Sequence, residues 1–448
     1  MAKPSIIYTC NNCEAQYPKW VGRCLECGKW GTVPQQGSVK IKSTTSSIQS
    51  SATPINLADA VTTKNRNFFG IKEFDRVTNG LPEGSITLIT GDPGLGKSTL
   101  VLELAAKLNN SVLYVSGEES AEQVAGRLAR LKLKPDNISF INEQSVETVL
   151  GTVTNSAPIL LIIDSIQTLS SAEASGGPGS PSQIKAVVSK IVEQVKTMNV
   201  ATILIGHVTK DGAVAGPKTL EHLVDVVINL EGERGSNLRI LRCSKNRFGP
   251  SDEVGFFEMS EAGMKQVENP SALLLASRHR DPGSCVTAIQ QGSRSLLTEV
   301  QALVARSRFG YPKRTAVGFD ANRLQLILAV LQEKAGIKLA YSDVYVNLVG
   351  GIKSKEPGLD LAVAMAIISS YGKKKLPQDL LVVGEIGLAG EIRQVNSLSR
   401  CVKEAMALGF TQVLTSEHAS KEKFPLELQL IGKANLAEAV SWFNNDLL

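Results

Sequence analysis

The chain has 448 residues, 43% of them hydrophobic and 20% charged, with a net charge of +5. That is enough for roughly three domains of ~150 residues with ample core, and the mild positive charge fits contact with a polyanion without demonstrating it. Met1 to Cys10 holds no apolar signal core, and the longest apolar runs, Ile159 to Ile163 and Leu361 to Ile368, are too short to cross a bilayer. No membrane association is therefore expected, and the chain reads as cytoplasmic.

Seven cysteines, four of them in the first 27 residues, suit metal binding in a reducing compartment better than a disulfide framework. Cys10-x-x-Cys13 and Cys24-x-x-Cys27 form two knuckles carrying four thiolates, the set that tetrahedral Zn2+ takes. Tyr8, Tyr17, Trp20 and Trp30 surround them. A segment as short as residues 1–36 cannot bury enough surface to fold alone, so a structural zinc explains both features. Residues 37–53 turn to Ser, Thr, Gln and Lys and read as a flexible linker.

A nucleotide-binding region is expected over 54–270. Gly91-Asp92-Pro93-Gly94-Leu95-Gly96-Lys97-Ser98-Thr99 matches G-x-x-x-x-G-K-[ST] between a strand-like run, Ile86 to Thr90, and a helix-like run, Leu100 to Leu108. Glycines let such a loop point its N–H groups at phosphate oxygens of ATP, and the helix N-terminus adds positive potential. Lys97 is expected to reach the β- and γ-phosphates and Ser98 to hold Mg2+. Apolar runs at Ser111 to Val115, Ile159 to Ile163, Ala201 to Ile205 and Val226 to Leu230 alternate with helical stretches, which predicts a parallel sheet covered by helices. Polar residues at the carboxyl ends of those strands are candidates for the site. Glu118 or Glu119 would orient the attacking water; Glu118 is favoured, although spacing does not separate the two. Asp164 would be the magnesium-side partner, and His207 a sensor of the γ-phosphate. The polar stretches Ser170 to Ser182 and Thr209 to Lys218 are expected to order on a ligand.

The P-loop, Tyr114-Val115-Ser116-Gly117-Glu118-Glu119-Ser120, Gly206-His207-Val208-Thr209-Lys210, Lys245-Asn246-Arg247-Phe248-Gly249 and the four-cysteine knob together resemble the RadA/Sms family of bacterial repair ATPases. The resemblance runs to the C-terminus. It implies a RecA-like α/β core and a homo-hexameric, DnaB-like helicase or translocase on single-stranded and branched DNA, driving branch migration with the RecA recombinase. It also implies that Lys245 and Arg247, on a loop after a strand Leu238 to Leu241, meet phosphate, either the γ-phosphate of a neighbouring subunit or DNA.

The remainder, 271–448, resembles the α+β C-terminal domain of Lon protease through Gly350-Gly351-Ile352-Lys353, Glu356 to Leu361 and Gly384 to Ile392. The positions of the nucleophile and its lysine hold Gly358 and Ser399, so peptidase activity is not expected. Basic residues at Arg306, Arg308, Lys313 and Arg314 beside Phe309 and Tyr311, at Lys353 and Lys355, and at Lys373 to Lys375 are either a solvated surface or a DNA-contacting scaffold. A regulatory KaiC-like ATPase and a Lon-type protease are the alternatives.

Overall fold

The computed structural model describes residues 8–12, 16–17, 19–34, 65–134, 136–206, 220–232, 236–307, 311–421 and 424–445. The chain forms two compact units, Met1–Thr63 and Lys64–Leu448. In the first, Tyr8–Thr9 pairs antiparallel with Gln16–Tyr17, and Cys10, Cys24 and Val33 make a small buried core.

The second unit opens with the short strand Arg66–Asn67, paired antiparallel with Leu81–Pro82 across helix α1 (Lys72–Thr78), and then builds a nine-stranded sheet. Its strands are β1 (Ile86–Thr90), β2 (Val112–Ser116), β3 (Ile138–Asn142), β4 (Leu160–Asp164), β5 (Ala201–Ile205), β6 (Val226–Glu231), β7 (Leu238–Asn246), β8 (Val254–Ser260) and β9 (Gly263–Gln266). The spatial order is β9-β8-β7-β6-β1-β5-β4-β2-β3. From β6 to β3 every pairing is parallel, while β7, β8 and β9 continue antiparallel. Strands β1, β2, β4 and β5 are buried along their whole length, as continuous apolar runs must be when helices cover both faces. Helices α2 (Lys97–Lys107) and α3 (Ala121–Arg130) cover one face, and α4 (Val146–Ser156) and α5 (Pro181–Met198) the other. Ser120 starts α3 with a capping box to Gln123, which fixes where the Glu118–Glu119 turn ends.

The sequence places the end of β7 at Leu241; the structure carries it to Asn246. Main-chain pairing with β6 persists to Val226↔Asn246 through a bulge at Val227/Ile228, so ladder hydrogen bonds hold polar residues that the apolar pattern omits.

A short helix, α6 (Pro270–Leu275), leads to a seven-stranded mixed sheet. It contains the long hairpin Ser284–Gln291 with Arg294–Arg306, and its core helices include α7 (Ala321–Ala335), α8 (Asp360–Gly372), α9 (Leu398–Ala407) and α10 (Leu436–Asn445). Helix α8 carries the apolar run Leu361 to Ile368 and is buried on all sides, the usual fate of a helix without a polar face. Among the described residues no helix is long and apolar enough to cross a membrane.

The two sheets share packing, since Val254 and Phe256 of β8 belong to the same core as α7 and α8. Gly292, at φ +60 in the Gln291–Arg294 turn, permits it: a Cβ there would lie 1.5 Å from the Asp252 carbonyl oxygen. Beside this seam Glu73 of α1 is 2% exposed and accepts from Phe256 N at 2.9 Å and from Arg294 Nη1 at 2.7 Å.

Candidate nucleotide-binding site

The loop Gly91–Gly96 follows β1 and precedes α2, at the carboxyl edge of the parallel strands. Gly96 has φ +99, a conformation that side-chain-bearing residues rarely adopt, and it lies under the β8–β9 hairpin, where a Cβ would meet the movable Met259 Cε at 2.2 Å. Lys97 is buried and donates to the carbonyls of Gly91 at 2.7 Å and Asp92 at 3.0 Å. Burial lowers its pKa, opposed by the negative charges of Asp164 and Asp92. Ser98 and Thr99, half-buried, open the helix. Asp92, Pro93 and Gly94 are exposed, and Leu95 anchors the loop in the core beneath them.

Two strands away, Asp164 ends β4, 8% exposed, and accepts from the buried Tyr114 hydroxyl at 2.7 Å. Burial, then the Asp164 charge, raises the Tyr114 pKa well above its ordinary value, so the phenol stays a donor. The peptide joining Asp164 to Ser165 is cis. Ser165 Oγ donates to Glu118 Oε1 at 2.9 Å, which brings Glu118 to the same edge as Asp164.

Glu119 faces elsewhere: its carboxylate pairs with Arg127 of α3. The Ser116 hydroxyl accepts from the backbone of both glutamates, Glu118 N at 3.3 Å and Glu119 N at 3.0 Å. The structure thus separates two carboxylates that spacing leaves equivalent. Tyr114 and Ser165 are the residues that motif reasoning undervalues. Their signal is adjacency, Tyr114 beside the Ser116–Glu119 turn and Ser165 beside Asp164. His207 and the stretch 209–218 lie outside the described residues, whereas 170–182 is ordered by Gln183, which bonds the backbone of Ser171, Ala174 and Gly176.

Lys245 and Arg247 are at the opposite edge. Lys245 lies in β7, not on a loop, opposite Val227, and Arg247 N donates to the Asp225 carbonyl. Asp225 in turn abuts Ile86, the first residue of β1. The run from there to Gly91 spans roughly 15 Å at about 3.3 Å per residue, so neither side chain belongs to its own chain's phosphate loop. Lys245 Nζ is spent on the carbonyls of Glu221 at 2.5 Å and Val224 at 2.8 Å. Burial, then the charge of Arg247, lowers its pKa. Arg247 is half-exposed and pairs with the buried Asp225 at 3.2 Å.

In the first unit the sulfurs of Cys10, Cys24 and Cys27 lie within 4.8 Å of one another, and those of Cys10 and Cys27 are 3.8 Å apart. A tetrahedral zinc with Zn–S of about 2.3 Å needs sulfur–sulfur edges of about 3.8 Å, so these three thiols fit the ion. Cys13 lies outside the described residues.

The basic residues of the C-terminal region differ in what holds them. Arg314 is bonded to the carbonyls of Ser342 and Leu339, and Lys374 Nζ to those of Phe443 at 2.9 Å and Asn444 at 3.1 Å. Lys375 pairs at 3.4 Å with Asp281, and Tyr311 is 90% exposed. Arg308 and Phe309 lie outside the described residues. A cavity of about 280 Å³ is lined by Glu356, Gly358, Ser397 and Cys401, with no lysine among its described walls. Ser399 is exposed.

Three family models match separate stretches of the chain. Residues 8–35 match the rubredoxin metal binding domain model, 52–213 the AAA domain model and 309–419 the model for subunit ChlI of Mg-chelatase. The DNA repair protein RadA of Pseudomonas aeruginosa is 42% identical, over 98% of this chain and 99% of its own. The DNA repair protein RadA of Escherichia coli is 41% identical, over 99% and 100%. Among solved structures, a KaiC-like protein of Pyrococcus horikoshii is 22% identical, covers 46% of this chain and 99% of its own, and has a TM-score of 0.39.

Proposed function

The chain belongs to the RadA family of DNA repair proteins, and from that premise we propose that it is a DNA-dependent ATPase working as a homo-hexameric, DnaB-like translocase in recombinational repair. The observation that carries this reading is the division of charged groups between the two edges of one sheet. Lys97, Asp164 and Glu118 collect around the phosphate loop, while Arg247, half-exposed beside its partner Asp225, sits at the far edge, open to another copy's nucleotide or to a DNA strand.

In this reading the backbone N–H groups of Gly91 to Gly96 hold the phosphates and Lys97 gives up its carbonyl partners to reach them. Ser98 and Asp164 hold magnesium, which neutralises charge on the phosphates when bound. Glu118, oriented by Ser165, takes the proton of the attacking water. Arg247 of the adjacent copy stabilises charge in the transition state, and Lys245 braces the turn beneath it. His207 relays nucleotide state to the loop that follows. Single-stranded and branched DNA are the polymers, and RecA the partner. The C-terminal region serves as scaffold, and Gly358 at the nucleophile's position offers no hydroxyl.

ATP turnover is expected to rise severalfold on adding single-stranded DNA and to vanish in both conditions with Lys97→Ala. Turnover indifferent to DNA favours the regulatory alternative. For the four-cysteine knob, metal analysis is expected to return one zinc per chain, absent from Cys24→Ser; zinc-free native protein rules out the thiolate cage.

A further inference from the structure

Arg239 is the second residue of β7, at the phosphate-loop end of that strand. Its guanidinium is committed to main-chain acceptors: Nε donates to the Leu95 carbonyl at 3.2 Å, and Nη1 to those of Ser236 at 2.6 Å and Leu238 at 3.0 Å. Among the described residues no carboxylate is within ion-pair distance. Its Cδ packs 2.8 Å from where a Cβ on Gly232 would stand, so the side chain runs through a slot that a glycine keeps open.

The Leu95 carbonyl shares a planar trans peptide with the Gly96 N–H, and in that plane the two groups point in opposite directions. Holding the oxygen outward therefore aims the N–H inward, toward the concave side of the loop. Gly96 at φ +99 has wide conformational freedom of its own, and Met259 closes it from above without offering a hydrogen bond that would orient it. We propose that Arg239 is a positioning residue for phosphate binding, a clamp on the back of the loop that pre-aims the Gly96 N–H at the nucleotide. The clamp also ties the loop to the β6–β7 connection, whose flank Glu231–Gly232 lines a cavity of about 200 Å³ with Gly350, Gly351 and Lys353 of the C-terminal region.

The inference rests on the nucleotide reading above, and kinetics separate the two. Removing a preorganised donor that serves substrate and transition state alike raises KM and leaves kcat in place. Arg239→Ala is expected to raise the ATP KM about tenfold with kcat within threefold of wild type, and to weaken ADP binding by the same factor. Arg239→Lys, with one donor head in place of a fork, falls between. A role in folding alone would lower kcat through the active fraction and leave KM and ADP affinity unchanged, which overturns the proposal. So does an Arg239→Ala protein with wild-type KM and a normal melting temperature. Wild-type protein without Lys97-dependent turnover would instead overturn the nucleotide reading itself.

Discussion

Replacing Glu118 by glutamine is expected to reduce ATP turnover by about 10²–10⁴-fold with nucleotide affinity little changed. Glutamine preserves the volume and still accepts the Ser165 hydroxyl bond that holds the side chain at 2.9 Å, so the edge of the sheet stays as it is. What it lacks is the ability to take a proton as the water attacks, a function worth about 3–5 kcal/mol of activation energy. The neighbouring carboxylate is the internal control. Glu119 is paired with Arg127, so Glu119→Gln should lose less than about tenfold, through a looser α3 rather than through the chemistry. Single-turnover hydrolysis beside equilibrium binding measures both. A larger loss at Glu119 than at Glu118 would reverse the assignment.

The second large effect is structural. Arg294→Ala removes the guanidinium that meets Glu73 at 2.7 Å across the seam between the two sheets, with its charge also 5.2 Å above the Phe256 ring. Glu73 is 2% exposed, and what remains to it is one backbone N–H and a long contact of 3.5 Å with Arg76. A buried carboxylate stripped of its main partner typically destabilises by about 3–5 kcal/mol, and the remaining Arg76 contact places this case at the lower end. Removing the charge as well, in Glu73→Gln/Arg294→Ala, should restore much of the loss, because an amide buried with one donor is far less penalised than a carboxylate. Urea unfolding of the wild type and the three variants closes the cycle. Additive losses would show that the pair does not hold the seam.

How much of this was legible beforehand varies with the range of the interactions. Strands β1 and β5 are readable to the residue because continuous apolar runs in a central parallel sheet have no other packing. The P-loop is readable because its chemistry is local. The end of β7 is not, since Lys245 and Asn246 are held by ladder pairing to β6 beyond the bulge at Ser244 and leave no mark in an apolar pattern.

Glu118 and Glu119 are indistinguishable in sequence because the hydroxyl of Ser165 and the guanidinium of Arg127, which pull them apart, come from different elements. The basic runs are read only in part for the same reason. Arg314 and Lys374 read as surface charge, yet their heads are bound to carbonyls of Leu339, Ser342, Phe443 and Asn444, partners that a charge count does not contain. Arg239 carries no signal in the sequence because nothing in its neighbourhood resembles a motif. Its significance is that β7 starts beside the loop that β1 ends in.

In the shared site proposed above, one copy supplies Lys97 and its neighbour supplies Arg247. Co-expressing Lys97→Ala with Arg247→Ala subunits and assaying ATP turnover with single-stranded DNA tests it directly. Each variant alone should be inactive. At equal proportions, random assembly around a ring gives an intact Lys97 facing an intact Arg247 at about one interface in four, so about a quarter of wild-type turnover should return. A mixture no more active than its parents, or full activity of Arg247→Ala by itself, would contradict a site shared between subunits.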